Sequence, residues 1–244
     1  MTVKRFTAAT GAVALLVLAG AAGPIGCTTR TGSTDFAAPP VGTVLHFERP
    51  AGGKPFAFQH KIVDVSGDEL VYHVVNESSN PTNDQVRLYR GIFSYAFWRP
   101  GGGWVEYKFD RSQVAPLWPL KVGNTVVFPV TFGYAEAKTE AEGKKGWKAT
   151  ERGQMTFTVR RQERITVPAG TFDTFVIHRV RNFTRVAPPH RRLAVERVSW
   201  YAPKLGYVVR QTTQNLRVSR GGQLTPAGAV TVFELQRIDR PGSR

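Results

Sequence analysis

Cysteine is almost missing from this chain: 244 residues contain one, Cys27. A lone thiol excludes an internal disulfide framework and a cysteine-based zinc cluster. Long blocks of one charge are missing too, since basic residues gather only in short clusters such as Arg160-Arg161, Lys144-Lys145 and His190-Arg191-Arg192. The chain also lacks the signatures of the common catalytic folds. There is no G-x-S-x-G elbow, P-loop or dinucleotide fingerprint, and the glycines Gly101 to Gly103 are not followed by a helix that would bind phosphate. Its 5 histidines, His46, His60, His73, His178 and His190, show no metal-ligand spacing. The nearest approach to a metal site is His60 with His73 across a hairpin, which would supply half of one. Asp173 stands beside a turn, where a lone carboxylate accepts backbone N–H bonds. No catalytic residue, metal site or cofactor follows from these residues, and no amphipathic helix or solenoid repeat is visible.

What is present is a core-forming composition and a basic surface. Hydrophobic residues make up 41% and aromatics 11%, enough to bury the interior of one large β domain. Lys and Arg number 33 against 18 acidic residues, a net charge of +15. Such a field favours anionic partners, although basic residues scattered singly along strands also make an ordinary soluble surface.

Residues 1–27 have the form of an export signal. Lys4 and Arg5 precede an apolar run over residues 8–22, which is too short and too rich in Gly and Ala for a membrane span. Pro24-Ile25-Gly26-Cys27 resembles a bacterial lipobox, with Pro24 standing where Leu is usual. The resemblance implies a lipidated Cys27 and attachment through acyl chains. Residues 28–42, rich in Thr, Ser, Gly, Ala and Pro, read as a flexible tether. A single β domain is expected over 43–239 and a loose tail over 240–244.

Within that domain, short β-rich runs alternate with turn signals. Glu69 to Val75 pairs with the preceding run through Ser66-Gly67-Asp68. A run from Val86 to Trp98 is followed by the turn Arg99 to Gly103, and alternation then separates Trp104, Glu106 and Lys108 from Val105, Tyr107 and Phe109. Pro129 requires an edge or a bulge in its strand. Residues 135–146 read as a mobile hairpin tip, with one helical turn as the alternative. In Val167-Pro168-Ala169-Gly170-Thr171, Pro168 fixes φ and Gly170 accepts the positive φ of a type II turn. The expected class is all-β: antiparallel strands in an open barrel or two packed sheets.

Two segments carry a resemblance. VPAGTFDTF at 167–175 and WYAPKLGYVVR at 200–210, with a further piece at 119–123, resemble a family of bacterial envelope proteins of unknown function. These are often lipoproteins and predominantly antiparallel β. The resemblance spans the C-terminal half, and its motifs are turn and packing signals.

On the strand following VPAG, Phe175, Arg179, Arg181, Phe183 and Arg185 share one parity, with Ile177 between them. Such a face is apolar at one end and suited to an anion at the other, unless the arginines pair with Glu163 or Glu196 across strands. The expected function is an exported, lipid-anchored, non-enzymatic binding or accessory protein of the cell envelope, facing the periplasm, at the outer membrane in a Gram-negative host. Its partners would be a membrane, through the anchor at Cys27, and an anionic envelope component or lipid; export argues against nucleic acid. The alternative is a carrier or sensor of amphiphilic anions in a half-open barrel, with arginines at its mouth and an apolar cavity of roughly 300 Å³ or more. Phe175, Arg179, Arg181 and Phe183 are its candidate ligand-binding residues.

Overall fold

The computed structural model describes residues 36–51, 54–76 and 84–242. The first six strands are β1 (Val44–Ala51), β2 (Lys54–Ser66), β3 (Glu69–Asn76), β4 (Asp84–Tyr89), β5 (Phe93–Arg99) and β6 (Gly103–Lys108). The remaining elements are β7 (Thr125–Ala135), α1 (Glu140–Gly146), β8 (Lys148–Val167), β9 (Gly170–Arg185), β10 (Arg192–Ala202), β11 (Tyr207–Val218) and β12 (Leu224–Asp239). Each strand pairs antiparallel with its successor, and β1 pairs with β12 from Val44↔Asp239 to Glu48↔Glu234. The chain is all-β, and the sheet is neither open nor split in two: it closes into a barrel. Closure removes the unpaired edges that an open sheet would present.

An up-and-down barrel sorts its connections between two ends. One end, the floor, carries residues 36–42, the turns β2–β3, β4–β5, β8–β9 and β10–β11, and segment 109–124. It is filled with apolar side chains: Val114, Leu117, Trp118 and Leu120 of the long segment are buried, with Ile92 and Leu205 from two turns. The walls also meet here. A Cβ on Gly91 would stand 2.0 Å from the Gly206 carbonyl oxygen, and one on Gly206 would stand 1.7 Å from that of Ala37. Both glycines have positive φ, 67° and 66°. The β4–β5 and β10–β11 turns thus touch across the floor, and the end of the expected tether lies over them with Pro39 buried.

Several local expectations change. The run from Val86 to Trp98 is two strands, because Arg90 (φ 48°) and Gly91 reverse the chain between Tyr89 and Phe93. Arg-Gly is a weak turn signal, and the flanking apolar residues masked it. Residues 140–146 form a helix, started by Thr139, whose side chain accepts from Glu142 N–H while Glu142 accepts from Lys138 N–H. Thr139 is thus a side-chain N-cap, and Glu142 satisfies the donor one residue before it, a variant of the capping box in which the back-bond goes to the preceding residue. Gly143 lets α1 lie on Trp104, which is buried on the outer side of the sheet. The β8–β9 turn is not type II, since Ala169 has no positive φ; Gly170, at φ 134°, is the first residue of β9. Ala169 N–H donates to the Leu235 carbonyl of β12 (3.2 Å), so this turn is fastened to a distant strand. Pro129 is paired on the β8 side only, because β6 covers no more of β7 than Thr131 to Ala135.

Candidate functional site: an arginine recess in the barrel lumen

Directly paired residues of antiparallel strands point to the same face. On β9, Ile177, Arg179, Arg181 and Phe183 stand opposite Val159, Phe157, Met155 and Gly153 of β8. Because Val159, Phe157 and Met155 are buried in the core, the whole β9 row faces inward. The parity read from the sequence therefore holds, but the arginines lie in the barrel wall and not at its mouth. On the other side of β9, Arg179 is opposite Arg197 of β10, and Arg181 is opposite Val195. Three guanidinium groups thus share one inward patch.

They border a recess of about 130 Å³, lined also by Ser94, Tyr107 and Met155. A second cavity of about 220 Å³ shares Ser94 and Arg197 with it and is walled by Phe58, His60, Tyr207 and Phe233. A third, of about 190 Å³, shares Ser94 and Tyr107 and is walled by Tyr72 and Phe97. The interior space is thus divided among adjoining cavities with mixed polar and aromatic walls, unlike the single apolar cavity expected of a carrier.

The aromatic wall is held by ring contacts: Phe47 and Phe58 stack at 5.5 Å, and Phe233 meets Phe58 edge-on at 5.7 Å. His60 lies 4.0 Å from the ring of Tyr72 and shares a hydrogen bond of 2.9 Å with the Tyr207 hydroxyl. Burial depresses the His60 pKa to about 3, so the ring is neutral, and burial raises the phenols of Tyr72 and Tyr207. His73 is on the opposite face of β3, with Val74 being the residue paired to His60. The half metal site is therefore not formed, and no cluster of three metal-ligating side chains occurs among the described residues.

The cationic wall has little internal compensation. Arg181 donates to the Tyr107 hydroxyl and lies over Phe183 at 5.2 Å. Arg179 lies over Phe93 and Phe157, 5.8 Å from each ring centre. Arg197 Nε is buried without a hydrogen-bond partner among the described residues. Burial, and after it the like charge of Arg197, lowers the Arg179 pKa; burial also lowers that of Arg197. The carboxylates proposed as cross-strand partners are engaged elsewhere. Glu163 bonds Arg161 (2.9 Å) and Trp200 Nε1, and Glu196 bonds His178 (2.5 Å).

Of the four candidates from the sequence, Arg179 and Arg181 line the recess, and Phe183 lies beside it against Arg181 and Tyr107. Phe175 does not: it is buried toward the floor, opposite Tyr201. Sequence reading missed Arg197, Tyr107, Ser94 and the His60–Tyr207 pair. Alternation along β10 would have put Arg197 on the face of Leu193, Val195, Ser199 and Tyr201, but nothing local shows that this face is the inner one.

No protein-family model and no curated protein matches the chain. Among solved structures, it is similar to the hypothetical lipoprotein YmcC from Escherichia coli (10% identity, TM-score 0.46, covering 85% of this chain and 91% of that one). It is also similar to a protein provisionally described as exported, with a YmcC-like fold, from Bacteroides fragilis (14%, TM-score 0.43, 84% and 99%). A third is a protein provisionally described as a lipoprotein from Parabacteroides distasonis (15%, TM-score 0.35, 84% and 98%).

Proposed function

We propose that this is an exported binding protein of the bacterial envelope, held to a membrane through Cys27, whose barrel takes up an amphiphile with an anionic head. The observation that carries the binding reading is the juxtaposition inside one lumen of Arg179, Arg181 and Arg197 with an aromatic wall of Phe58, Tyr72, Tyr207 and Phe233. Cations that pair with no carboxylate among the described residues attract an anion, and the adjoining rings offer apolar surface to whatever the anion carries. Export and anchoring are supported by the signal-like residues 1–27, which lie outside the described residues.

The test is calorimetric titration with octyl ligands of one chain length. Octanoate or octyl phosphate is expected to bind where octanol does not, and the Arg179→Gln, Arg181→Gln double variant should lose that binding. Octanol binding as tightly as the anions, or no octyl ligand binding at all, would remove the amphiphile reading.

A further inference from the structure

We infer that the three-arginine recess is a site for a tetrahedral dianion, inorganic phosphate or a phosphate monoester, rather than for a carboxylate. The inference rests on the amphiphile reading only for the organic part of the ligand; the anion site stands on the recess itself.

Register makes the case first. Arg179 and Arg197 are direct cross-strand partners, so their Cα atoms are separated by the about 4.5–5.5 Å of an antiparallel pair. Arg181 is two residues along the same face of β9. Like charges directly opposite one another are destabilising in a sheet, and arginine does not escape by losing its proton. Among the described residues no carboxylate pairs with them, and their contacts are with rings and the Tyr107 hydroxyl. Two inward carboxylates stand toward the mouth: Asp84 is held by Arg99 (2.9 Å), and Glu151, four residues from Met155 along β8, has an Oε2 without a partner among the described residues. Three half-buried cations bordering one recess, one with a buried Nε that has no hydrogen-bond partner among the described residues, describe a site suited to a counter-ion.

Charge and shape then select among anions. A carboxylate brings one charge and two coplanar oxygens, leaving two of three guanidiniums uncompensated. A phosphate monoester brings up to two charges and three oxygens splayed about one axis, which suits donors converging from two strands. Neutral donors complete the set. Because Arg181 donates to the Tyr107 oxygen, the phenol proton is free to be given to a ligand, and the Ser94 hydroxyl borders the same recess. At about 130 Å³ the recess admits a compact head and no chain. The ester's organic group would lie in the adjoining aromatic cavity of about 220 Å³, reached past Arg197 and Ser94.

Four probes separate the possibilities: sodium phosphate, octyl phosphate, octanoate and octanol, titrated into the full folded protein and into Arg197→Met. Octyl phosphate is expected to bind about tenfold or more tighter than octanoate, the worth of one further charge-assisted hydrogen bond. Phosphate is expected to raise the Tm of the parent protein and not of Arg197→Met. That variant should fold, and melt higher than the parent in phosphate-free buffer, because it replaces a half-buried charge that faces Arg179 with an apolar side chain. Equal affinity for octanoate and octyl phosphate would overturn the dianion site and leave the amphiphile reading standing. Phosphate binding as tightly as octyl phosphate would do the reverse. Octyl phosphate binding undiminished to both Arg197→Met and Arg179→Met, or no binding of either phosphate species to the parent, would overturn the site.

Discussion

His60 illustrates how much a single position depends on its surroundings. Enclosed by Phe47, Phe58, Tyr72 and Tyr207, its ring stays neutral down to a pKa of about 3, against 6.5 for an ordinary histidine. Below about pH 6.5 the unfolded chain takes up a proton that the folded ring refuses, so this residue's contribution to stability falls as pH drops toward about 3. Between about pH 7 and about pH 5 the loss should be about 2 kcal/mol. His60→Gln keeps a group able to bond the Tyr207 hydroxyl and removes the titration. Denaturant midpoints at the two pH values should diverge less in the variant than in the parent; equal divergence would mean that His60 is not held neutral. Carboxylates such as Asp239, whose pKa is lowered by bonds from His46 and Arg237, add acid sensitivity at lower pH in both proteins, so the difference isolates His60.

At the scale of elements, the floor is the most constrained part of the barrel. Gly206 closes the APKLG turn with both a positive φ and a neighbouring carbonyl where a side chain would begin. Gly206→Ala should cost about 1–2 kcal/mol from the left-handed backbone alone, and more from displacing residues 36–38. A Tm unchanged from the parent would show that these residues do not lie over the turn. The positions of the turns at Gly206 and Pro168 were legible in the sequence, because Gly and Pro act through their own backbone, although the turn type at Pro168 was not. The N-cap of α1 was written there too, as Thr139 three residues before Glu142, but its flanking Lys, Glu and Gly residues read as a polar tip. What was not legible is what the turns touch: the carbonyl beside Gly206 belongs to Ala37, and the acceptor for Ala169 N–H is on β12.

For the molecule as a whole, closure decides where charge goes. The seam joins β1 to β12, with His46 Nε2 and Asp239 Oδ2 at 2.7 Å across 193 residues of chain. Once the sheet is a cylinder, one row of alternating residues is enclosed, and Arg179, Arg181 and Arg197 pass from a sheet face to a lumen. The placement of such a barrel in the envelope is a separate matter, carried by residues 1–27. Intact mass of protein extracted from membranes of the native host should show acyl chains on Cys27, and Cys27→Ser should appear in the soluble fraction. An unmodified thiol at Cys27, or a variant that stays with the membrane, would end the lipid-anchor reading.

Alternation, turn residues and composition determined by themselves that this chain is antiparallel β, where most of its strands reverse, and that Arg179 and Arg181 share a face with Phe183. Period-two patterning relates neighbours along one strand, and so it says which residues face together. It does not say which way the sheet curves. Only the tertiary structure set Arg197 opposite Arg179, brought Gly91 against Gly206, and turned the arginine face inward. The first is set by the register between β9 and β10, and the enclosure of that face by the pairing of β1 with β12, a contact between the two ends of the domain that no local preference encodes.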